Sequence, residues 1–409
     1  MNRDKLKNLT LNITDGEHGS IIDSLNSSYY LLSNKNIKNG KINITNDDRK
    51  ISIDSFNKIR KRTKLSNNDV VVASVGTIGK TAIIKSNNIN FDFQRSVAII
   101  KPNQSKITSD YLYYFFNVPY VKKQLQNKAN GAVQKCLYIN DFENLDIDYH
   151  DILTQQKITS ILSIFDEKME LNNKINSELE KIVKTLYDYW FVQFDFPDED
   201  GKPYKSSGGK MVWNEELKKD IPEGWEVKKL NNLLRKNIDK FILNGNKHGI
   251  NTIDLSVMPS ATMCLAEKNT SDKFGSNLFK MNKFDILFGG IRPYLLKAGF
   301  APFDGLVTGT VHSYRVINNF DYNFTILTVV HNSFFKFAVS NSKGTKMPII
   351  SSNDLLSYQL AYKEDVVKKF NQLISFKEII SKNIQENHDL AKLRDFILPM
   401  LMNGQVTIM

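Results

Sequence analysis

Two stretches of the chain carry apolar residues in alternating steps of three and four. The first runs through Leu162, Phe165, Met169, Asn172, Asn176, Leu179, Val183, Leu186 and Trp190. The second runs through Leu373, Phe376, Ile380, Asn383, Asn387, Leu390, Arg394, Ile397 and Leu401, each member 211 positions after its counterpart. This is heptad spacing, the stripe by which one helix packs along another. A row of Ile161, Ile175, Ile182 and Tyr189 widens the apolar face of the first helix. The same pair of asparagines interrupts both stripes, so the two long helices are expected to pack on each other rather than each on its own globule alone. Asn176 and Asn387 fall at the midpoints. In an antiparallel coiled coil the midpoints meet, which predicts Asn176 beside Asn387, fixing register at some cost in stability.

The residues before each stripe read differently. Val70-Val71-Val72-Ala73, Ala82-Ile83-Ile84 and Ser96-Val97-Ala98-Ile99-Ile100 are short β-prone runs broken by Gly and Asn, and the segments 285–288 and 311–317 repeat the pattern. Residues 109–128 and 321–338 have apolar residues at helical spacing. Other matches keep the same order. Lys5-Leu6-Lys7-Asn8-Leu9 answers Lys229-Leu230-Asn231-Asn232-Leu233. Gly131 and Ile139-Asn140-Asp141-Phe142 answer Gly344 and Ser352-Asn353-Asp354-Leu355. The chain is therefore a duplicated unit, a mixed α/β globule followed by a long helix. Between the copies, Pro197, Pro203 and the Ser206-Ser207-Gly208-Gly209 run make a linker. Its preceding aromatics, up to Phe196, predict that it is pinned to a surface.

With 409 residues, more than one core is expected. The net charge of +11 favours a polyanionic partner. Two distant cysteines, Cys136 and Cys264, and six scattered histidines do not supply a zinc site, and the cysteines read as reduced thiols. Met1-Asn2-Arg3-Asp4-Lys5-Leu6-Lys7 is not followed by a signal-peptide run, and no segment is apolar enough to span a bilayer, so a cytoplasmic protein is expected.

Three fragments suggest chemistry and fall short of it. Gly76-Thr77-Ile78-Gly79-Lys80-Thr81 ends like a phosphate-binding loop, but the position needing the first glycine holds Ser74. Asn117-Val118-Pro119-Tyr120 is one residue from the loop by which amino-methyltransferases hold a flipped base, and no methyl-donor loop precedes it. Asp15-Gly16-Glu17-His18-Gly19 is compact and polar, yet lacks the carboxylate partners of a nuclease metal site. What remains is polyanion recognition. The candidate DNA-contacting residues are Arg60, Lys61, Arg62, Lys64, Lys80, Arg95, Gln134 and Lys135 in the first half. In the second they are Arg292, Lys297, His312, Arg315, Lys343 and Lys346. Arginine can read guanine with two hydrogen bonds, whereas lysine more often holds phosphate.

The helix end Thr185-Leu186-Tyr187-Asp188-Tyr189-Trp190-Phe191-Val192-Gln193-Phe194, the linker that follows and Ile221-Pro222-Glu223-Gly224-Trp225-Glu226-Val227 resemble the specificity subunits of type I restriction-modification systems. So do Asp15-Gly16-Glu17-His18 and the closing Leu398-Pro399-Met400-Leu401-Met402-Asn403-Gly404. The resemblance spans essentially the whole chain and implies two target recognition domains, 1–150 and 228–360. It implies spacer helices in 151–191 and 361–409, with 192–227 as linker, and the helices form an antiparallel coiled coil. It further implies a non-catalytic subunit that reads a split site on double-stranded DNA. Two adenine methyltransferase subunits and two restriction or translocase subunits bind it. S-adenosylmethionine, ATP and Mg belong to those partners, and no cofactor belongs to this chain. The exposed apolar helix faces and the 191–196 segment are the expected docking surface. The alternatives are a related modification component with its own catalytic site, a basic coiled-coil scaffold, and an RNA-binding module. About 28 residues of helix, from Leu162 to Trp190, span roughly 40 Å, near one turn of B-DNA.

Overall fold

The β-prone runs of the first half become a four-stranded antiparallel sheet with the order 10–15, 97–102, 70–73, 81–83. The computed structural model describes residues 1–129, 135–241, 249–275, 277–373 and 375–406. Two units are defined, Met1–Glu167 with Leu390–Met409, and Lys168–Asp389. In the first unit, alternate residues of the sheet point into two different cores. Val70, Val72, Ala98 and Ile100 pack with the helices Ser109–Asn117 and Pro119–Lys128, whereas Val71, Ala73, Val97 and Ile99 meet Leu32, Phe91 and Phe93 of a second, three-stranded sheet. Such period-two alternation buries both faces of the sheet.

The second unit repeats this topology. Its principal sheet has the order 234–236, 311–316, 286–289, 298–300, again antiparallel. Helices Tyr322–Val330 and Asn332–Ser340 cover one face, as their counterparts do in the first unit. The entry strands match as well. Asn2–Lys5 pairs with Asp146–Tyr149, and Glu226–Lys229 pairs with Gln359–Tyr362, each followed by a 3-10 turn. Each unit is thus a mixed α/β lobe, as the sequence predicts. One helix has no such counterpart among the described residues of the second unit. It is Ile53–Thr63, which carries Arg60, Lys61 and Arg62.

The central helix runs from Ile152 to Tyr187 and continues through a π turn, Asp188–Val192. The C-terminal helix is shorter than expected, Phe376–Met402, preceded by a separate helix Glu364–Leu373. Leu373, expected in the stripe, ends that separate helix and is 55% exposed. The two long helices pack together antiparallel. In the second unit the Asn172 amide donates to Asn387 Oδ1 at 2.9 Å, and the Asn383 amide donates to Asn176 Oδ1 at 2.8 Å. The Asn387 amide donates in turn to Asn173 Oδ1 at 2.9 Å. The asparagines therefore pair crosswise, Asn176 with Asn383 rather than with Asn387, because the antiparallel register sits one helical turn away from the stripe midpoints.

The apolar members of the stripes do more than line a seam. Leu162, Leu398 and Leu401 belong to the core of the first unit, and Val183, Trp190, Phe376 and Ile380 to that of the second. Phe165, Met169, Leu179, Leu186, Leu390 and Ile397 are half-buried. The rings of Phe191, Phe194 and Phe196 are also buried, gathered around Trp225, so the aromatic side chains of the 191–196 segment are core, while Val192 and Gln193 stay exposed. Ile175, Ile182 and Tyr189 remain exposed.

Candidate nucleic-acid interface

In each unit the ends of the principal sheet carry one cluster of loops, held by the same backbone hydrogen bonds. In the first unit Ser74 N–H donates to Ser96 O, Leu137 N–H donates to Ser74 O, and Val75 bridges to Cys136. In the second, Gly290 N–H donates to Thr310 O, Ile350 N–H donates to Gly290 O, and Ile291 bridges to Ile349. The turn between the last two strands corresponds too. Ala73 N–H donates to Lys80 O at 2.7 Å, as Gly289 N–H does to Lys297 O at 2.8 Å. Lys80 and Lys297, nominated separately from the sequence, are therefore equivalent positions.

This frame explains the fragments that resemble catalytic motifs. Gly76 to Thr81 is a β-hairpin turn between two strands, with Gly76 and Gly79 at positive φ, and no helix follows to aim N–H groups at a phosphate. Asn117-Val118-Pro119-Tyr120 joins two helices. The Asn117 amide caps the Tyr113 carbonyl at 2.9 Å, Val118 is buried, and Pro119 starts the next helix. Asp15 to Gly19 continues from a strand end and bridges to Gln94 through Glu17, whose N–H donates to Phe93 O, while Asp15 meets His18 at 2.6 Å. Among the described residues no group of three or more His, Cys, Asp or Glu is arranged to hold a metal ion.

The basic candidates divide by what their charges touch. Arg60 points inward. It lies 3.1 Å from the fully buried Asp92 and donates to the carbonyls of Leu65 and Phe91. Burial raises the pKa of Asp92, against the opposing pull of the Thr63 hydroxyl and Arg60. Arg315 makes a two-point pair with buried Asp285, at 2.8 and 2.9 Å. Lys297 donates to Leu255 O at 2.6 Å. His312 is half-buried with Nε2 2.9 Å from Ile350 O, and burial lowers its pKa. Its ring lies under Gly290, where an added Cβ would come within 2.7 Å of Nε2. Each of these four side chains braces the interior of its own lobe. Arg62 is intermediate, bound to Asp15 and Gly16 O at the surface. Lys61, Lys64, Lys80, Arg95 and Lys135 are exposed in the first unit, as are Arg292, Lys343 and Lys346 in the second. Gln134, and Gly131 of the repeat, lie outside the described residues.

Arg95 is mounted rigidly on the loop cluster. Its N–H donates to Glu17 O at 3.0 Å and its carbonyl accepts from the Ser74 hydroxyl at 3.3 Å, while its side chain is exposed. Arg292 is fixed likewise, its N–H donating to Pro348 O at 2.7 Å. Around it, Tyr294, Leu295, Met347 and Ile349 are exposed apolar side chains that sequence reasoning missed, since no periodicity marks a loop tip.

Comparison with known proteins identifies this lobe-and-helix fold with DNA-specificity proteins. Residues 15–181 match the family described as the type I restriction modification DNA specificity domain. The chain is 26% identical over 354 residues to the type I restriction enzyme MjaIX specificity subunit of Methanocaldococcus jannaschii, covering 83% of this chain and 78% of that one. It is 27% identical over 121 residues to the HindI specificity subunit of Haemophilus influenzae, spanning 29% of this chain and 26% of that relative. The crystal structure of a type I restriction-modification S subunit from M. genitalium has the same fold, with a TM-score of 0.56 at 15% identity over 98% of this chain and 95% of that one. Residues 15–181 carry this DNA specificity domain, and the chain as a whole is similar to the specificity subunits of type I restriction-modification systems.

Proposed function

We propose that this chain reads a bipartite target on duplex DNA, one half through each lobe, and positions partner subunits that methylate adenine and restrict unmodified DNA. The observation that carries this reading is the duplicated loop cluster, one backbone frame bearing different exposed side chains in the two units. The recognition domains are 1–150 and 228–360. Their phosphate and base contacts come from Lys61, Arg62, Lys64, Lys80, Arg95 and Lys135 in one, and from Arg292, Lys343 and Lys346 in the other. Among the described residues no helix is long and apolar enough to cross a membrane. The chain contributes no catalytic group. S-adenosylmethionine, ATP and Mg act in the partners, two modification and two restriction subunits. The exposed row Leu171, Ile175, Ile182 and Tyr189 on the central helix supplies apolar surface for the modification subunits.

The test is single-molecule mapping of methylated adenine in cells expressing the chain with its methyltransferase partner, beside cells lacking the chain. The expected result is a split motif that depends on the chain, with one half replaced when residues 228–360 are exchanged for those of a relative. Methylation without a chain-dependent motif, from a folded complex, would remove this function.

A further inference from the structure

Nine arginines occur in the chain. Arg3, Arg49, Arg60, Arg62, Arg315 and Arg394 each meet a carboxylate, whereas Arg95, Arg235 and Arg292 have none among the described residues. Arg292 differs from the other two in its backbone. It is held at φ +52, in the left-handed region that favours glycine. The equivalent position in the first unit, one residue past the matching β-bridge, is Gly76 at φ +74. The duplicated frame therefore calls for a left-handed residue at this point, and one copy meets that need with glycine. The other copy keeps an arginine there at an energetic cost. Strain retained at an exposed, partner-free side chain points to a use for that side chain.

The surroundings say what the use is. The Arg292 backbone is clamped from both sides. Its N–H donates to Pro348 O, its carbonyl accepts from Leu295 N–H at 2.9 Å, and Pro293 follows it directly. Residues 348–349 are braced in turn by the mutual Lys343–Ile349 hydrogen bonds at 2.8 and 2.9 Å. The guanidinium thus stands on a rigid tip, flanked by exposed Tyr294, Met347 and Ile349, with Lys343 and Lys346 on the same loop. A planar fork on a fixed mount suits two-point recognition of guanine O6 and N7. The apolar neighbours suit thymine methyls, and the lysines suit phosphates. A phosphate contact alone would need neither the fork nor the strain, because a lysine on an ordinary turn provides it.

We propose that Arg292 is a specificity-determining residue that reads a guanine in the half-site of the second lobe. This rests on the reading of the chain as a bipartite DNA-specificity subunit. The experiment maps methylated adenine for the full complex carrying the wild-type chain, Arg292→Gly, Arg292→Lys or Arg235→Ala, with the melting temperature of each purified complex measured alongside. Arg292→Gly relieves the left-handed arginine, so its melting temperature should equal or exceed that of the wild type. Both Arg292 variants should lose roughly tenfold or more discrimination at one G·C pair in one half of the motif, leaving the other half intact. Arg235→Ala should leave the motif unchanged. An unchanged motif with both Arg292 variants would overturn the proposal. So would a uniform fall in methylation with the same motif and a shallower salt dependence, which marks a phosphate contact. If the wild-type complex itself gives no chain-dependent split motif, the underlying functional reading fails and takes this inference with it. A variant-only failure overturns the inference alone. Should Arg292→Gly fold poorly, Arg292→Lys decides, since it keeps the backbone and the charge and removes only the fork.

Discussion

Arg60, Lys61 and Arg62 are consecutive on one helix, yet a turn of 100° per residue gives them different tasks. Asp92 is fully buried, and Arg60 is the one cation paired with it among the described residues. Arg60→Ala should cost about 3 kcal/mol of stability in the first lobe, since it leaves a buried charge uncompensated. Lys61→Ala should change stability by less than about 0.5 kcal/mol and weaken DNA binding instead. Thermal unfolding with DNA titration at two salt concentrations separates them, and equal melting losses would refute the division. The basic run was legible in the sequence. The inward turn of Arg60 was not, because its acceptor lies 32 residues away on a strand. The spacing of Phe56, Ile59 and Thr63 was the available signal for the buried face. His312 makes a pH-dependent contribution. Burial lowers its pKa in the folded chain, so below about 6.5 the unfolded chain takes up a proton that the folded chain does not. Stability is therefore present at neutral pH and lost as pH falls through that value. His312→Gln, whose amide can still donate to Ile350 O, should show a smaller drop in melting temperature between pH 7.5 and 5.5 than the wild type. An equal drop would assign the pH dependence elsewhere.

At the scale of elements, the long helices pack through polar layers as well as apolar ones. Asn172 and Asn176 are nearly fully buried, at 1% and 4% exposure, and their pairing fixes one register. Asn176→Leu alone should lower stability by roughly 1 kcal/mol, by stranding the Asn383 amide. The double change Asn176→Leu with Asn383→Leu should raise the melting temperature above the wild type and admit more than one register. A double variant that melts lower while keeping a single register, by cross-linking between the helices, would contradict this. Beside the asparagines, Glu180 accepts from Met263 N–H at 2.9 Å and from the Thr262 hydroxyl at 2.5 Å, tying the central helix to a loop of the second lobe. Burial of Cys264, reinforced by the neighbouring Glu180 charge, pushes its thiol up to about 12, which keeps that cysteine a neutral, unreactive thiol. Nothing in the helical spacing distinguishes Glu180 from an ordinary exposed glutamate. Its partners sit in a loop some 80 residues on.

For the molecule as a whole, duplication is the governing fact. Each lobe has its own core, its own entry strand pair and its own loop cluster. Changes confined to one cluster should therefore act on one half of a recognised site and spare the other, which is the outcome expected when residues 228–360 are exchanged. Changes to the paired helices should act on both halves, because each long helix contributes residues to both units. Mapping methylation, rather than measuring affinity, resolves the two cases. Phosphate contacts dominate affinity and carry no sequence information.

The amino-acid sequence by itself determined the periodic features, namely the two long helices, the β-prone runs and the duplication. Each of these is written in local spacing, since side-chain direction follows the period of the element. Tertiary structure decided which charges are available. Arg60 and Arg315 look like Arg95 and Arg292 in the sequence, but buried Asp92 and Asp285 claim the first pair. It also decided that Asn176 faces Asn383, that Leu373 lies outside the stripe, and that Arg292 occupies a glycine-like backbone position. Those outcomes depend on contacts between residues far apart in the chain and on the register in which rigid elements meet. Neither leaves a periodic trace in the sequence.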